Sequence, residues 1–341
     1  MSLFKNHKIG AKELLGLIPE SLLATLSSTT NVDFYTKVLY GRKMFYLLLY
    51  GLLENERMSQ RTLEDTFNDS LFKLLFNIDN EESITRSSIS ERLSKINIDF
   101  FSQAYQRIYQ RFSNLYQPKE QEKYGLIRVD SSMVSETSKK LVEGMVSTTN
   151  NGRKSIKYTI GFDGLLPCGS KIYTEAKYHS EDLALPELIR SHLKEDPDHQ
   201  NIYVFDRGLQ SVKTIQEFSN ESITFIGRVK ENRKYVLVDS FIKENTLLDL
   251  GKLTLIQDSK VNLYRGQSVQ SKKGSHYYQS ELIKEPLRLI VAQNKATLQE
   301  HWFVSNNFDA SPQEITNLYK QRWDIETVRR CGLLSFYQTR T

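Results

Sequence analysis

Apolar positions recur every three or four residues through the first third of the chain. That rhythm predicts helices over Phe34–Leu53, Ser87–Ile96 and Asp99–Leu115, the last aligning Phe100, Phe101, Tyr105, Ile108 and Phe112 on one stripe. Polar turns such as NIDNEES separate the helices. The run Met44–Leu53 (MFYLLLYGLL) is too short for a bilayer, which needs about 20 apolar residues, so it reads as a buried helix. SITRSSISERLSKIN resembles the second helix of a helix-turn-helix, with Ser and Arg side chains for phosphates, although a plain helical bundle explains it as well.

At Tyr124 the period shortens to two. GLIRVDSS predicts a short strand ending in Asp130, and KYTIGFD and SKIYTEAKY two more, joined by turns with Gly164 and Pro167. LALPELIRSHL and SVKTIQEF then read as helices, NIYVFDRG and ITFIGRVK as strands. Antiparallel strands followed by α/β crossovers predict an α/β fold, a mixed sheet flanked by helices. From about Glu231 to Asn307 the helical signal vanishes. VLVDSFI, KLTLIQD, KVNLYRG, HYYQSEL, LRLIVAQ and HWFVSNN predict a run of short strands, read as an all-β insertion. A final helix is announced by Ser311, Pro312 and Glu314 as a capping box with proline in the first turn. Ile315, Leu318 and Ile325 can face its core, while Tyr319, Arg322 and Glu326 share another face.

The net charge of +5 leans only weakly towards a polyanionic partner. Its distribution says more: Arg153 and Lys154 with KSIKY, and GRVKENRKY, mix Lys, Arg and Tyr as backbone phosphates and stacked bases require, although a solvated surface explains either patch alone. Cys168 and Cys331 give neither a disulfide framework nor metal spacing, which suits a reducing cytoplasm, and MSLFKNHKIGAKELL carries no export signal. His179 and His276 also lack metal spacing, and Glu181 and Asp182 read as partners of a helix N-terminus. No glycine-rich phosphate loop supports an ATP-driven mechanism.

Asp130 and Asp206 each follow an apolar strand, where ligands gather in α/β sheets. Glu326 joins them if the last helix packs across the sheet. Three converging carboxylates repel one another unless cations intervene, and Mg²⁺ prefers oxygen ligands. Each acid also has a local explanation: Asp130 as a turn cap, Asp206 paired with Arg207, Glu326 bridging to Arg322 four residues earlier.

RVDSS, VFDRG with FIGRVKENRKY, and LYKQRWDIE together resemble the three blocks of IS4-type DDE transposases, over roughly residues 85–328. Tyr319, Arg322 and Glu326 match the first three members of that family's Tyr-Arg-Glu-Lys signature. The resemblance implies an RNase H-like catalytic fold with a β-rich insertion before the glutamate. It implies that Asp130, Asp206 and Glu326 hold two Mg²⁺ (or Mn²⁺) ions, by which one strand is cut and the freed 3′-hydroxyl joined to a target. Tyr319 and Arg322 would grip a phosphate, with Arg207, Arg228, Lys230, Arg153 and Lys154 along the duplex. Trp302 and Trp323 could stack on an unpaired base or belong to the core. The partners implied are double-stranded DNA, as terminal repeats and target, and a second copy of the chain at synapsis, in a prokaryotic cytoplasm without membrane attachment.

The organisation expected is a helical DNA-binding region at 1–118, the first part of the catalytic core at 119–230, the β-rich insertion at 231–307, the catalytic helix at 308–330 and an aberrant tail at 331–341. In that tail the signature's basic position is Leu333, beyond Cys331 and Gly332. A frameshift together with a small insertion would account for it, because the codons of Gln338 and Thr339 read one base later give Lys or Arg, several residues beyond the expected position. Transposition is then expected to be impaired with the acid set complete. Three competitors are an inactive DNA-binding relic, an RNase H-like nuclease without strand transfer, and a metal-independent two-carboxylate hydrolase.

Overall fold

The computed structural model describes residues 11–55, 58–115, 124–136, 141–146, 152–194, 200–243, 247–270 and 276–326. The expected tail, with Cys331 and Leu333, lies outside them. The chain divides into two compact units, one containing Met1–Gln117 and the other Pro118–Thr327.

The first unit is helical: α1 (Ala11–Gly16), α2 (Glu20–Thr30), α3 (Gly41–Glu54), α4 (Gln60–Asn68), α5 (Ser70–Leu75), α6 (Arg86–Lys95) and α7 (Ile98–Leu115). Their apolar stripes meet in a core around Leu23, Met44, Leu47, Phe67, Phe72, Ile89 and Phe100. The helix expected from Phe34 begins only at Gly41, because the Asp33 carboxylate accepts the Gly41 N–H at 2.5 Å and Tyr35 adopts φ +56°. α6 is less free to grip phosphates than its lettering implied. Ser88 serves the capping box with Thr85, and Arg92 donates to the carbonyls of Leu39 (2.9 Å) and Val32 (2.6 Å).

The second unit is an RNase H-like mixed sheet flanked by helices. Its strands are β1 (Gly125–Ser135), β2 (Met145–Val146), β3 (Lys154–Phe162), β4 (Pro167–Tyr173), β5 (Asn201–Phe205), β6 (Thr224–Val229), β7 (Tyr235–Ser240), β8 (Leu248–Leu250), β9 (Leu253–Gln270), β10 (His276–Leu282), β11 (Leu287–Asn294) and β12 (Glu300–Ser305). They run in the order β10-β9-β11-β12-β6-β5-β1-β3-β2, with β4 on β3, and β7 and β8 on β9. β1, β5 and β6 are mutually parallel; the pairings of β1 with β3 and of β6 with β12 are antiparallel. Through β12 the strands after residue 231 therefore continue the same sheet.

Two sequence expectations need correction. β1 does not end at Asp130 but runs on to Ser135, because its antiparallel partner β3 still pairs there, with hydroxyl contacts Ser131–Thr159 and Ser135–Ser155, both 2.8 Å. KLTLIQD and KVNLYRG are one strand, β9, rather than two. The turn-like text between them is buried: Asp258 is 2 % and Ser259 1 % exposed, and Asp258 is paired with Arg288.

α8 (Glu181–Leu193) and α9 (Val212–Asn220) cover one face of the sheet, where Phe205, Phe218 and Phe225 cluster. α10 (Pro312–Lys320) covers the other, packing Ile315 and Tyr319 on Leu126, Val204, Ile226 and Phe303. Its start is the expected capping box: Ser311 Oγ accepts the Glu314 N–H at 3.2 Å, and the Glu314 carboxylate accepts the Ser311 N–H at 2.6 Å. Ser311→Ala is expected to lower stability by about 1 kcal/mol in urea unfolding, since a cap at an otherwise packed helix contributes that much.

Candidate active site

Strand alternation sets the geometry of the site. On β1, Leu126 packs under α10, so Arg128 and Asp130 point to the same face. On β5, Ile202 and Val204 point there too, and on β6 Ile226, which carries Arg228 with it. Val129 lies opposite Phe205, and Phe205 opposite Gly227. One step further, Asp130, Asp206 and Arg228 therefore form a transverse row, extended by Phe303, the cross-strand partner of Arg228.

The end of α10 lies over this row. The Tyr319 ring meets Phe303 at 5.0 Å between centroids, and the side chain is 8 % exposed. Burial pushes the Tyr319 hydroxyl above its ordinary pKa, against the pull of Arg322 and Arg228, while Asp206 adds to the rise. α10 then tightens into a 3₁₀ turn, Gln321–Trp323, fastened from below by Arg128. That guanidinium donates to the Gln321 carbonyl (3.2 Å), to Gln321 Oε1 (2.8 Å) and to Asp324 Oδ2 (3.3 Å). Sequence reasoning passed over Arg128. Its signal was available: an arginine two residues before Asp130 in an apolar strand shares the acid's face and must find buried acceptors.

Arg322 is 7 % exposed, 3.7 Å from Glu326, with its guanidinium 5.9 Å from the Tyr319 ring and 5.0 Å from that of Trp323. Among the described residues, the buried Nε atoms of Arg228 and Arg322 and Nδ1 of His301 have no hydrogen-bond partner. His301 was also missed; burial and the nearby Arg228 hold its pKa below the ordinary value, which favours a neutral ring. Burial likewise lowers the pKa of Arg228. The site thus gathers two buried guanidinium groups whose Nε atoms are unpartnered among the described residues, an arrangement suited to an anion.

Each acid has local work as well. Asp130 Oδ1 accepts the Ser131 N–H at 2.9 Å, Asp206 Oδ1 accepts the Gly208 N–H at 2.7 Å, and Glu326 faces Arg322. Among the described residues, no three His, Cys, Asp or Glu side chains are grouped closely enough to hold a metal ion. Asp130 on β1 and Asp206 just after β5 lie one step along adjacent strands, and carboxylate oxygens are the donors that a hard divalent cation takes. The turn carrying Asp206 is braced from α8: the Asp182 carboxylate accepts the N–H groups of Gln210 and Ser211, both at 2.6 Å. Glu181 pairs with the buried Lys157 at 2.9 Å rather than merely facing its own helix terminus. A Cβ at position 208 would lie 2.7 Å from Glu181 Cγ and 2.9 Å from Asp206 Oδ1, so any larger residue would push these side chains aside.

Of the other candidates, Arg207 and Lys230 are exposed beside the row. Arg153 and Lys154 stand apart from it: Ile160 is opposite Asp130, and the six residues back to Lys154 span roughly 20 Å of strand. Trp302 is half-buried, donating to Glu300 at 2.9 Å, whereas Trp323 is 57 % exposed at the site's edge.

Among the described residues no helix is long and apolar enough to cross a membrane. Residues 121–335 match the protein family described as the transposase DDE domain. No curated protein matches the chain.

Proposed function

The chain belongs to the transposase DDE domain family, and from that premise we propose that it cuts and joins the ends of its own element by two-metal-ion phosphoryl transfer, in the manner of IS4-type enzymes. The observation that carries this reading is the transverse row of Asp130, Asp206 and Arg228 under Tyr319 and Arg322. Asp130 and Asp206 would hold the divalent ions, joined by Glu326 once it leaves Arg322, and the ions when bound would supply an activated water or 3′-hydroxyl and neutralise charge on the phosphoryl group. Arg228 and Arg322, desolvated and with Nε atoms unpartnered among the described residues, would orient the phosphate by charge-assisted hydrogen bonds, and the Tyr319 hydroxyl would donate one more. Glu326 screens Arg322 in the absence of DNA, and a phosphate would displace it there. Arg207 and Lys230 at the rim would meet the duplex, and joining two ends requires at least two copies of the chain.

The test uses the full chain with supercoiled DNA carrying the element's ends. Nicking is expected with Mg²⁺ or Mn²⁺ and is expected to cease when EDTA removes the metal. A pre-cut end with a free 3′-hydroxyl should then be joined to target DNA. Nicking that survives EDTA would contradict the metal-dependent reading; nicking without joining would leave an RNase H-like nuclease.

A further inference from the structure

The turn after β5 opens, beyond the acid row, on two adjoining cavities of about 470 and 450 Å³ that share Gln210, Ser211 and Arg233. Lys213 and Arg265 line the first, Lys230 and Lys234 the second. We propose that this cleft is a track for the phosphodiester backbone of duplex DNA flanking the cut. The proposal deepens the transposase reading and rests on it.

Charge is the first argument. The acids nearby are outnumbered: Asp182 accepts the Gln210 and Ser211 amides, Glu281 binds Arg265 at 2.6 Å, and Glu231 is exposed beside Lys230. Among the described residues Lys213 has only a loose contact with Glu217 at 3.8 Å, and Lys230 and Lys234 are exposed. Arg233 donates to neutral oxygens, the Gln210 carbonyl at 2.8 Å and Oε1 at 3.0 Å, so its fork is fixed, with the Asp182 carboxylate as its nearby counter-charge. A surplus of positive charge remains, spread over separated points. A partner with evenly spaced phosphates neutralises such an array, releasing counterions at each contact. Continuity is the second argument. The Gln210 amide donates to the carbonyls of Arg207 (2.6 Å) and Arg228 (3.2 Å), so the wall of the cleft is also the rim of the acid row. A duplex cut at the row has its flank at this wall. The N–H groups leading into α9 are not the attraction, because Asp182 already occupies them.

The experiment measures binding of the full chain to a duplex of about 30 bp, in EDTA, as a function of salt, by fluorescence anisotropy. Lys213→Gln/Lys234→Gln removes two exposed charges and is expected to leave the thermal transition unchanged. The slope of log K against log salt should fall in magnitude by about 1.8, with binding of the order of tenfold weaker at 0.1 M salt. Lys243→Gln/Lys252→Gln, exposed positions towards the other end of β9, should change neither. Equal affinity and slope for both double variants would overturn the cleft, as would stronger capture of polyglutamate than of duplex. The two readings fail separately. Metal-dependent nicking with binding indifferent to Lys213 and Lys234 sinks the cleft alone, and cleft-dependent binding without nicking sinks the transposase reading alone.

Discussion

Asp206→Asn is expected to lower metal-dependent nicking by roughly three orders of magnitude, with Asp130→Asn equivalent, because several kcal/mol of transition-state stabilisation vanish with an ionic ligand. The fold should survive. Asp206 is half-buried and its Oδ1 only accepts the Gly208 N–H, a role that an amide oxygen can fill. The thermal transition should therefore stay within about 1 kcal/mol of the parent. Plasmid nicking and thermal unfolding, measured on one preparation, separate chemistry from stability. Full nicking by Asp206→Asn would remove the row from the reaction.

The second large effect is expected far from the acids. Asp258 and Arg288 form a bidentate ion pair in the core, Nε to Oδ1 at 2.8 Å and Nη2 to Oδ2 at 2.7 Å. The remaining guanidinium nitrogen reaches the carbonyls of Asn307, Phe308 and Ala310, immediately before the Ser311 cap. β9, β11 and the start of α10 are thus tied at one point. Asp258→Ala leaves a buried guanidinium uncompensated and is expected to cost about 3–5 kcal/mol in urea unfolding. Asp258→Leu/Arg288→Met should recover much of that stability, since an apolar pair avoids desolvating two charges. It should not recover the hold on residues 307–310, so amide exchange in α10 is expected to quicken and nicking to stay low. A loss below about 1 kcal/mol in Asp258→Ala would mean that the pair contributes little beyond packing.

These two sites were unequally visible beforehand. The acids stood out because each follows an apolar run, and Tyr319, Arg322 and Glu326 because helical spacing stacks them. Arg128 and His301 did not, since their importance comes from what lies across the sheet. Arg153 and Lys154 share the lettering of the basic text near Arg228, and register carries them well away from the row.

By itself the sequence determined whatever depends on neighbours along the chain: the capping box at Ser311, the alternation that sends Asp130 to one face, and the change from a helical to an extended period at Tyr124. Covalent geometry transmits such information over a few residues, so local text is enough. Tertiary structure alone decided that QDSK, written like a turn, is the buried middle of β9, that β1 continues past its acid, and that Arg128 fastens the end of α10. In each case a charged or polar side chain is tolerated inside because a partner distant in sequence desolvates with it. Which partner arrives is a matter of strand register and helix placement, and no short stretch of chain encodes that.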